Sequence, residues 1–355
     1  MTIPAQRLAR QLITKQPHSS PAEVVAWLGA IQAQDYLAAL WALGLRTAGA
    51  NESTIEAAIA DGSVIRTHVF RFTWQYVARE DLRWMLGLVG SRVIGSAAGR
   101  FRDLELDGKT LKRCGDLFAR ALSGGNQLTR VEMAEVLAKG KVKAVNLRLL
   151  HILGHAELDG VICSGGRRGK QSTFALLDDR VPKQGSIFRD EALQRIALRY
   201  FRSRGPASER DFSWWTGLNL SESRLAIELA GKELEKTVLD GRTFWHTGAK
   251  ARSSRASAYL LPAFDEYLVG YTDRSAVSDI KHLGSINVGN GILNPIAVLD
   301  GQVVGTWRRT LEKKHVAVAI KLFQSLSVAD RGRLTEATNR YGKFLRLEPK
   351  ISFKR

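Results

Sequence analysis

The sequence predicts an α+β fold in which three tandem winged-helix units are followed by a small C-terminal β-rich domain. Three successive stretches of the chain share one order of elements, in which helices precede a pair of strands. This order is typical of the winged form of the helix-turn-helix. Beyond about residue 257 the pattern changes to one typical of strands. A chain of 355 residues exceeds what one core usually serves, so several domains are expected.

The first unit is predicted within residues 1–110. Ser20-Pro21 is a helix-start signal and Asp61-Gly62 is a stop signal. Residues 64–77 are rich in β-branched and aromatic side chains, which predicts a β-hairpin. The helices of this unit are expected over residues 5–15, 22–30 and 53–60.

The second unit is predicted within residues 111–185. Thr129 and Glu132 have the spacing of a capping box, which predicts the start of a helix. Residues 161–177 predict two strands around a glycine-rich turn at 165–170. The helices are expected over residues 111–121, 130–138 and 143–158.

The third unit is predicted within residues 186–250. Asp240-Gly241 is a two-residue turn signal, which predicts a hairpin formed by strands 234–239 and 242–245. Ser208 and Ser221 are predicted to be helix N-caps. The helices are expected over residues 190–202, 209–215 and 222–230.

The C-terminal β-rich domain is predicted within residues 251–355. Asp300-Gly301 predicts a turn, and Ser327 predicts the N-cap of a final helix over residues 328–345. No low-complexity linker separates the predicted units, so we expect them to pack rigidly. The strands are expected over residues 259–271, 296–307 and 316–322.

The charge of the chain favours a polyanionic partner. Its 53 lysines and arginines outnumber 35 acidic residues, so the formal net charge is +18. The simplest such partner is nucleic acid. A basic protein binds nucleic acid favourably because its cations release counterions from the phosphates. The alternative is a basic protein that has no polyanionic partner.

Several classes of protein are disfavoured. The only cysteines are Cys114 and Cys163, too few for a disulfide framework or a cysteine-based zinc cluster. The N-terminus lacks the apolar segment of a signal peptide, and no apolar run is long enough to span a membrane. These observations predict a cytoplasmic protein without a membrane partner.

Two glutamines interrupt an apolar run at residues 29–46. Gln32 and Gln34 would lie on different sides of a helix, but on the same side of an extended chain. We therefore predict that helix ends near residue 30 or 31 and that residues 32–34 are irregular or extended. The two amides then either bind backbone groups at a helix end or line a cleft that holds water or a ligand.

Cations occur at three predicted strand or turn positions. Alternation places Arg66 and His68 on one face of the first hairpin, where the return strand adds Gln75, and this interleaving with aromatic residues suits phosphate contact and base stacking. The turn at 165–170 and the end of a later strand also present cations. In each case an ordinary solvated face is the alternative. The cations of the last two positions are Arg167, Arg168, Lys170, Arg308 and Arg309.

Two further patterns have ordinary explanations. His151 and His155 are one helical turn apart, but Ile152 occupies the place of the glutamate in a zinc-protease motif, so no metal is expected. Asp265 and Glu266 could act as an acid–base pair, but a structural ion pair with Arg274 is favoured. The sequence contains no Gly-x-Ser-x-Gly elbow, so it gives no support to esterase chemistry.

Seven strings together resemble the tandem winged-helix DNA glycosylases of the AlkZ and YcaQ type. They span most of the chain in order. In two positions of the first hairpin the chain departs from the family, which has proline or glycine where Phe72 stands and often histidine where Gln75 stands. The matching strings are LGAIQAQD (28–35), ALGLR (42–46), IRTH (65–68), EDLRW (80–84), GPA (205–207), LPAFDEYL (261–268) and GTWRR (305–309).

The resemblance implies the site and the reaction. A Gln-apolar-Gln or Gln-apolar-Asp motif positions the hydrolytic water in that family, and Gln32, Ala33 and Gln34 match the first form here. The family releases N7-alkylated purines from DNA, and some members unhook interstrand crosslinks. Asp35 then either stabilises positive charge on the sugar or caps the next helix, which begins near Tyr36.

The resulting prediction is a monofunctional DNA glycosylase for cationic N7-alkylated purines that needs no metal or cofactor. Gln32, Gln34 and Asp35 form its predicted catalytic set. The alternative is a winged-helix DNA-binding protein without catalysis, either a regulator or a lesion sensor. The residues predicted to contact DNA are His68, Arg71, Gln75, Arg167, Arg168, Lys170, Arg308 and Arg309.

Overall fold

The computed structural model combines helices and strands throughout the chain, which confirms the α+β class. It describes residues 2–183, 185, 187–248, 257–289 and 291–354. The predicted boundary between residues 250 and 251 lies outside the described residues, as does residue 186 beside the boundary at 185. Among the described residues, no helix is both long and apolar enough to cross a bilayer.

The N-terminal segment contains four helices and a small sheet. The hairpin predicted at 64–77 is confirmed, and its return strand carries a third strand on its free edge, so the sheet order is β1-β3-β2. The first helix ends at Arg10, earlier than expected, and the chain then turns through Leu12, which has a φ of 61°. The elements are α1 (Ile3–Arg10), α2 (Pro21–Leu28), β1 (Ile31–Gln32), α3 (Tyr36–Gly44), α4 (Glu52–Ala60), β2 (Val64–His68) and β3 (Trp74–Ala78).

The irregular or extended chain predicted at residues 32–34 is confirmed. Gly29, with a φ of 78°, follows the end of α2, and this conformation favours glycine. Strand β1 then pairs antiparallel with β3, so that Gln32 lies opposite Gln75. Residues 33–35 lie outside regular structure until α3 begins at Tyr36.

The second segment contains further helices and a three-stranded sheet in the order β4-β6-β5. The capping box of Thr129 and Glu132 is present at the start of α8, as predicted. The two strands around the glycine-rich turn are also confirmed. The elements are α5 (Leu82–Ser96), α6 (Ala98–Asp103), α7 (Gly108–Leu122), β4 (Leu128–Thr129), α8 (Arg130–Lys139), α9 (Asn146–Leu158), β5 (Ile162–Arg168), β6 (Gln171–Leu176) and α10 (Leu177–Arg180).

The third segment contains three helices and the hairpin predicted over Asp240-Gly241. Ser208 caps its helix as predicted, but the cap of the next helix is Asn219 rather than Ser221, because the Asn219 side chain accepts a hydrogen bond from the Glu222 amide. The elements are α11 (Arg189–Arg204), α12 (Glu209–Thr216), α13 (Leu220–Ala230), β7 (Leu234–Leu239) and β8 (Arg242–Thr247).

A five-stranded sheet in the order β13-β12-β11-β10-β9 forms the C-terminal segment. The strand predicted over 259–271 is wrong beyond Leu261, because Pro262 cannot donate to a sheet and Asp265 caps a short helix. The turn at Asp300-Gly301 and the helix capped by Ser327 are confirmed. The elements are β9 (Ala258–Leu261), α14 (Glu266–Val269), α15 (Leu283–Ile286), β10 (Ile296–Leu299), β11 (Gln302–Leu311), β12 (His315–Leu322), α16 (Val328–Leu345) and β13 (Glu348–Lys354).

The two ends of the chain share one hydrophobic core. Helix α3 lies at its centre, where the indole nitrogen of Trp41 donates to the Leu260 carbonyl over 2.7 Å. The Trp41 ring also packs 5.1 Å from the rings of Tyr341 and Phe344 on α16. Because β1 immediately precedes α3, this shared core holds the glutamine segment against the C-terminal segment.

Candidate active site

The backbone around the two glutamines is held from three sides. The Gln32 amide donates to Glu266 Oε1 over 2.8 Å, and the Ala33 amide donates to the Trp74 carbonyl over 2.7 Å. The Ala33 carbonyl accepts from Arg66 Nε over 3.0 Å. A short extended segment with bonds to two charged side chains and a neighbouring strand has little freedom to move, so the side chain of Gln32 starts from a well-defined position.

Gln32 points into a cleft. Its residue exposure is 8%, and its carbonyl oxygen accepts from Arg71 Nη2 over 3.3 Å. A carbonyl oxygen has two lone pairs, so one acceptor position remains for a water molecule. The side-chain nitrogen of Gln32, Nε2, makes no hydrogen bond to any side chain or backbone group in the described part of the chain.

Gln34 and Asp35 lie beside this cleft and do not line it. Gln34 is exposed, and its carbonyl oxygen accepts from the Trp74 amide over 3.3 Å. Asp35 adopts the capping role, since its Oδ1 accepts from the Ala38 amide over 3.0 Å at the start of α3. Both glutamine side chains therefore contact the hairpin of β2 and β3. Gln32 accepts from Arg71 at its tip, and Gln34 accepts from Trp74 on its return strand.

The cleft has a volume of about 680 Å³. Its walls combine apolar groups with three arginines, and no carboxylate side chain is among the described residues that line it. One wall comes from α5, another from the region between α12 and α13, and the rest from the C-terminal segment. The lining residues are Gln32, Arg71, Thr73, Arg92, Val93, Ser96, Trp214, Gly217, Phe264, Val269, Thr272, Arg274, Asn287, Gly291 and Leu293.

The hairpin tip that carries Arg71 has an unusual backbone. Arg71 and Phe72 both have a φ of 53°, and the Thr73 amide donates to the Phe70 carbonyl over 3.1 Å. Two successive left-handed residues are typical of a type I′ turn, where glycine or asparagine is preferred. The turn directs Arg71 toward Gln32, and the Phe72 ring packs 5.0 Å from the ring of His68.

Two buried ion pairs surround the site. The Glu266 carboxylate accepts from Arg204 Nη2 over 2.6 Å and from Trp215 Nε1 over 3.0 Å. Asp265 accepts two hydrogen bonds, at 2.8 and 2.9 Å, from the guanidinium of Arg46. All four charged side chains of the two pairs are at most 1% exposed.

The predicted pairing of these acids with Arg274 is wrong. Arg274 Nε donates instead to the Leu268 carbonyl over 3.0 Å. An ion-pair role was the correct expectation for Asp265 and Glu266, but their partners lie far away in the sequence. Sequence reasoning missed Arg46 and Arg204 as these partners. Arg46 follows the apolar helix α3 and could have been noticed there, whereas Arg204 is one of five arginines in α11 and gave no local signal.

Comparison with known proteins identifies the family. Residues 25–344 match the model of the DNA glycosylase AlkZ-like family. The chain belongs to the AlkZ-like DNA glycosylase family. It is 26% identical over 326 residues to the interstrand DNA cross-link repair glycosylase of Streptomyces sahachiroi, covering 85% of this chain and 86% of that protein. The fold is that of the solved DNA glycosylase AlkZ of the same organism, with a TM-score of 0.80 at 23% identity over 99% of this chain and 98% of the other.

Two of the residues predicted to contact DNA are buried in this AlkZ-like chain. His68 is 2% exposed and its ring contacts the Glu157 carboxylate, while Gln75 is fully buried and accepts from the Phe70 amide over 3.0 Å. Neither side chain can reach DNA in this conformation, which corrects the prediction of direct contact. Both instead support the hairpin that carries Arg71.

The cations of the second segment lie at the turn between β5 and β6. Arg167 bonds to Glu56 over 2.5 Å, and Arg168 bonds to Glu132 over 2.7 Å. Lys170 is exposed at the same turn. These three residues do not line the cleft. The pair of Arg168 is exposed and therefore contributes little to stability, whereas Arg167 is half-buried.

The cations of β11 are split between the surface and a packed position. Arg308 is exposed, whereas Arg309 is half-buried and donates to the Tyr341 hydroxyl over 2.6 Å. His151 and His155 pack against the ring of Phe101, at centroid distances of 6.1 and 5.8 Å. Within the described residues, no group of three or more histidine, cysteine or acidic side chains is arranged to hold a metal ion.

Proposed function

We propose that this chain hydrolyses the N-glycosidic bond of cationic N7-alkylated purines in double-stranded DNA, as a monofunctional glycosylase. The observation that carries the proposal is the Gln32 carboxamide, which stands on a firmly held strand and opens into a cleft with one acceptor position free. Family membership adds DNA as the substrate polymer. The charge of +18 suits that polymer.

The chemistry needs a positioned water rather than a strong base. A purine alkylated at N7 is already cationic, so the bond to its sugar breaks with the electron pair leaving on the base. The base departs neutral, and positive charge develops on the sugar. A water molecule held by the Gln32 carbonyl oxygen then attacks the anomeric carbon and releases a proton to solvent.

Gln34 and Asp35 act beside this centre. The Gln34 carbonyl oxygen accepts one hydrogen bond from Trp74 and keeps a second lone pair for water. Asp35 caps α3, and its exposed carboxylate contributes negative charge on the side where the sugar becomes positive. We assign Gln32 the larger role because it alone of the three lines the cleft.

The size of the cleft supports bulky adducts as substrates. A volume of about 680 Å³ lies within the range of about 300–1,000 Å³ that holds a drug-sized ligand. Trp214 is 44% exposed at its wall and offers an indole face for stacking. One relative is an interstrand DNA cross-link repair glycosylase. We therefore include interstrand crosslinks among the substrates of this chain.

The DNA-binding surface is proposed from the arrangement of segments. The helix-and-hairpin segments at 1–110, 111–185 and 186–250 act as three tandem winged-helix units, and residues 251–355 complete the surface. Arg168, Lys170 and Arg308 are the exposed cations that contact phosphates in this proposal. The protein acts as a monomer in the cytoplasm.

A defined substrate tests the proposal. The protein is incubated with a duplex that contains one N7-methylguanine, and the product is then treated with alkali. The expected result is an abasic site that breaks only after alkali, while an unmodified duplex stays intact. If no base is released from N7-methylguanine or from a crosslinked duplex although both are bound, the chain is a DNA-binding protein without catalysis.

A further inference from the structure

Two arginines face the cleft without an acidic partner. The guanidiniums of Arg71 and Arg274 both line it, and Arg71 Nε is buried without a hydrogen-bond partner among the described residues. Arg274 uses only Nε, which donates to the Leu268 carbonyl. Its two terminal nitrogens make no hydrogen bond to any group in the part of the chain that the structure describes.

The nearest acids are already engaged. Glu266 accepts from Gln32, Arg204 and Trp215. Asp211 accepts from the amide and the hydroxyl of Thr272, both over 2.8 Å. Neither carboxylate is hydrogen-bonded to Arg71 or Arg274, so the cleft holds unpaired positive charge beside Gln32.

This charge conflicts with the proposed reaction unless an anion enters the cleft. Positive charge develops on the sugar when the base leaves, and it does so next to Gln32. Two guanidiniums at that place repel the developing charge and slow the reaction. An anion between the guanidiniums and the sugar would reverse the effect, because it pairs with the guanidiniums and stabilises the positive charge on the sugar.

We propose that Arg71 and Arg274 bind a backbone phosphate next to the alkylated nucleotide, and that this phosphate is the counter-charge for the sugar. The inference rests on the proposed function. A guanidinium presents several N–H groups in a planar fork that matches phosphate oxygens, and the hydroxyls of Thr73 and Thr272 line the same cleft. The DNA thereby supplies the negative charge that the lining of the cleft lacks.

Removing the charge from the DNA tests the proposal without altering the protein. Duplexes with N7-methylguanine carry a neutral methylphosphonate at either flanking phosphate, and base release is measured in single-turnover reactions. We expect one position to slow release by about 10- to 100-fold, the range for losing hydrogen bonds to a charged group. Equal rates at both positions and in the N7-methylguanine duplex without methylphosphonate would overturn the proposal.

The variant Arg274→Gln then shows whether that phosphate acts through Arg274. On the N7-methylguanine duplex without methylphosphonate, we expect this variant to release base more slowly than wild type, by the factor that methylphosphonate causes in the wild type. Methylphosphonate should then slow the variant no further. Arg274→Lys keeps the positive charge and should retain most of the rate. Arg331→Gln removes an exposed arginine of α16 that does not line the cleft, and it serves as the matched control. Independent, multiplicative effects of Arg274→Gln and methylphosphonate would contradict a shared site.

A second measurement separates this inference from the proposed activity. If the protein releases no base from any substrate, DNA binding still tests the phosphate site. Arg274→Gln should reduce the slope of log affinity against log salt by about 0.9, the value for one lost phosphate contact. A titration with orthophosphate distinguishes the sources. Orthophosphate binding combined with an unchanged salt slope and no effect of methylphosphonate on DNA affinity would mean that the site serves a free anion, and would overturn the proposal.

Discussion

The variant Glu266→Gln tests how the candidate site is held in place. The Glu266 carboxylate is 1% exposed and accepts four hydrogen bonds from three residues: one from the Gln32 amide at 2.8 Å, two from Arg204 at 2.6 and 3.1 Å, and one from Trp215 Nε1 at 3.0 Å. A carboxamide has a single acceptor oxygen, and its NH₂ group would face donors. The substitution therefore leaves at least one donor unsatisfied and removes the only acidic partner of Arg204 among the described residues.

The expected loss is large because the pair is buried. Leaving one member of a buried ion pair without its partner costs about 3–5 kcal/mol. Arg204 keeps its hydrogen bonds to the Leu28 and Ala30 carbonyls, which accept its remaining N–H groups but carry no full charge. Against a typical total stability of about 5–15 kcal/mol, the variant should be severely weakened.

Urea unfolding followed by tryptophan fluorescence measures this loss. Glu209→Gln is the matched control, because it breaks an arginine–glutamate pair that is largely exposed. We expect it to change stability by at most about 1 kcal/mol. Adding Arg204→Met to Glu266→Gln removes the unpaired charge and should recover part of the loss. A loss below about 1 kcal/mol for Glu266→Gln would refute the reasoning that Glu266 is an essential buried partner.

Three further predictions concern the hairpin tip, the cleft and a helix cap. Phe72→Gly should have a free energy of unfolding about 1 kcal/mol higher than that of Phe72→Ala in urea titrations, because glycine adopts the left-handed φ of 53° without steric cost. Trp214→Ala should slow release of a bulky aromatic adduct more than release of N7-methylguanine, measured in parallel single-turnover reactions, because the indole lines the cleft. Hydrogen bonds from the Thr129 backbone and side chain lower the pKa of Glu132 to about 2, so its stabilising effect should be present above its ordinary pKa and lost as the pH falls toward 2. Unfolding of Glu132→Gln across this pH range should therefore show a weaker pH dependence.

Each of these predictions has an outcome that contradicts it. Phe72→Ala as stable as Phe72→Gly would mean that the turn is not strained. Equal slowing of both substrates by Trp214→Ala would place the indole away from the adduct. If the free energy of unfolding of Glu132→Gln falls with decreasing pH as steeply as that of the wild type, the Glu132 carboxylate contributes nothing to stability against acid.

Local patterns predicted much of the fold. The Asp240-Gly241 turn and the Thr129 capping box need only residues a few positions apart, so they are readable from the chain. The final strand, Glu348–Lys354, was not predicted. It pairs in parallel with His315–Leu322, and α16 lies between the two strands in the sequence. The only local sign of this strand is a short alternation of apolar and polar residues.

The candidate site was predictable in part. The two-residue spacing of the glutamines predicts that residues 32–34 are not helical, and the structure confirms this. The partners of the site were not readable, because Glu266 lies 234 residues from Gln32 and 62 from Arg204. Burial of His68 and Gln75 was also hidden, since alternation along a strand does not reveal which face is covered by another segment.

Asp35 illustrates the limit of a single residue pattern. The sequence left two roles open, and the observed hydrogen bond to the Ala38 amide establishes the cap. Capping and charge stabilisation use the same carboxylate, so Asp35→Asn should keep the cap and remove the charge.

The most direct test of the account is the single-turnover rate of Gln32→Ala on duplex DNA that contains N7-methylguanine, measured beside its affinity for the same duplex. We expect base release to fall by about 100-fold, the effect of losing correct positioning of the water, while affinity changes little. Wild-type release by Gln32→Ala would contradict the claim that this carboxamide positions the hydrolytic water.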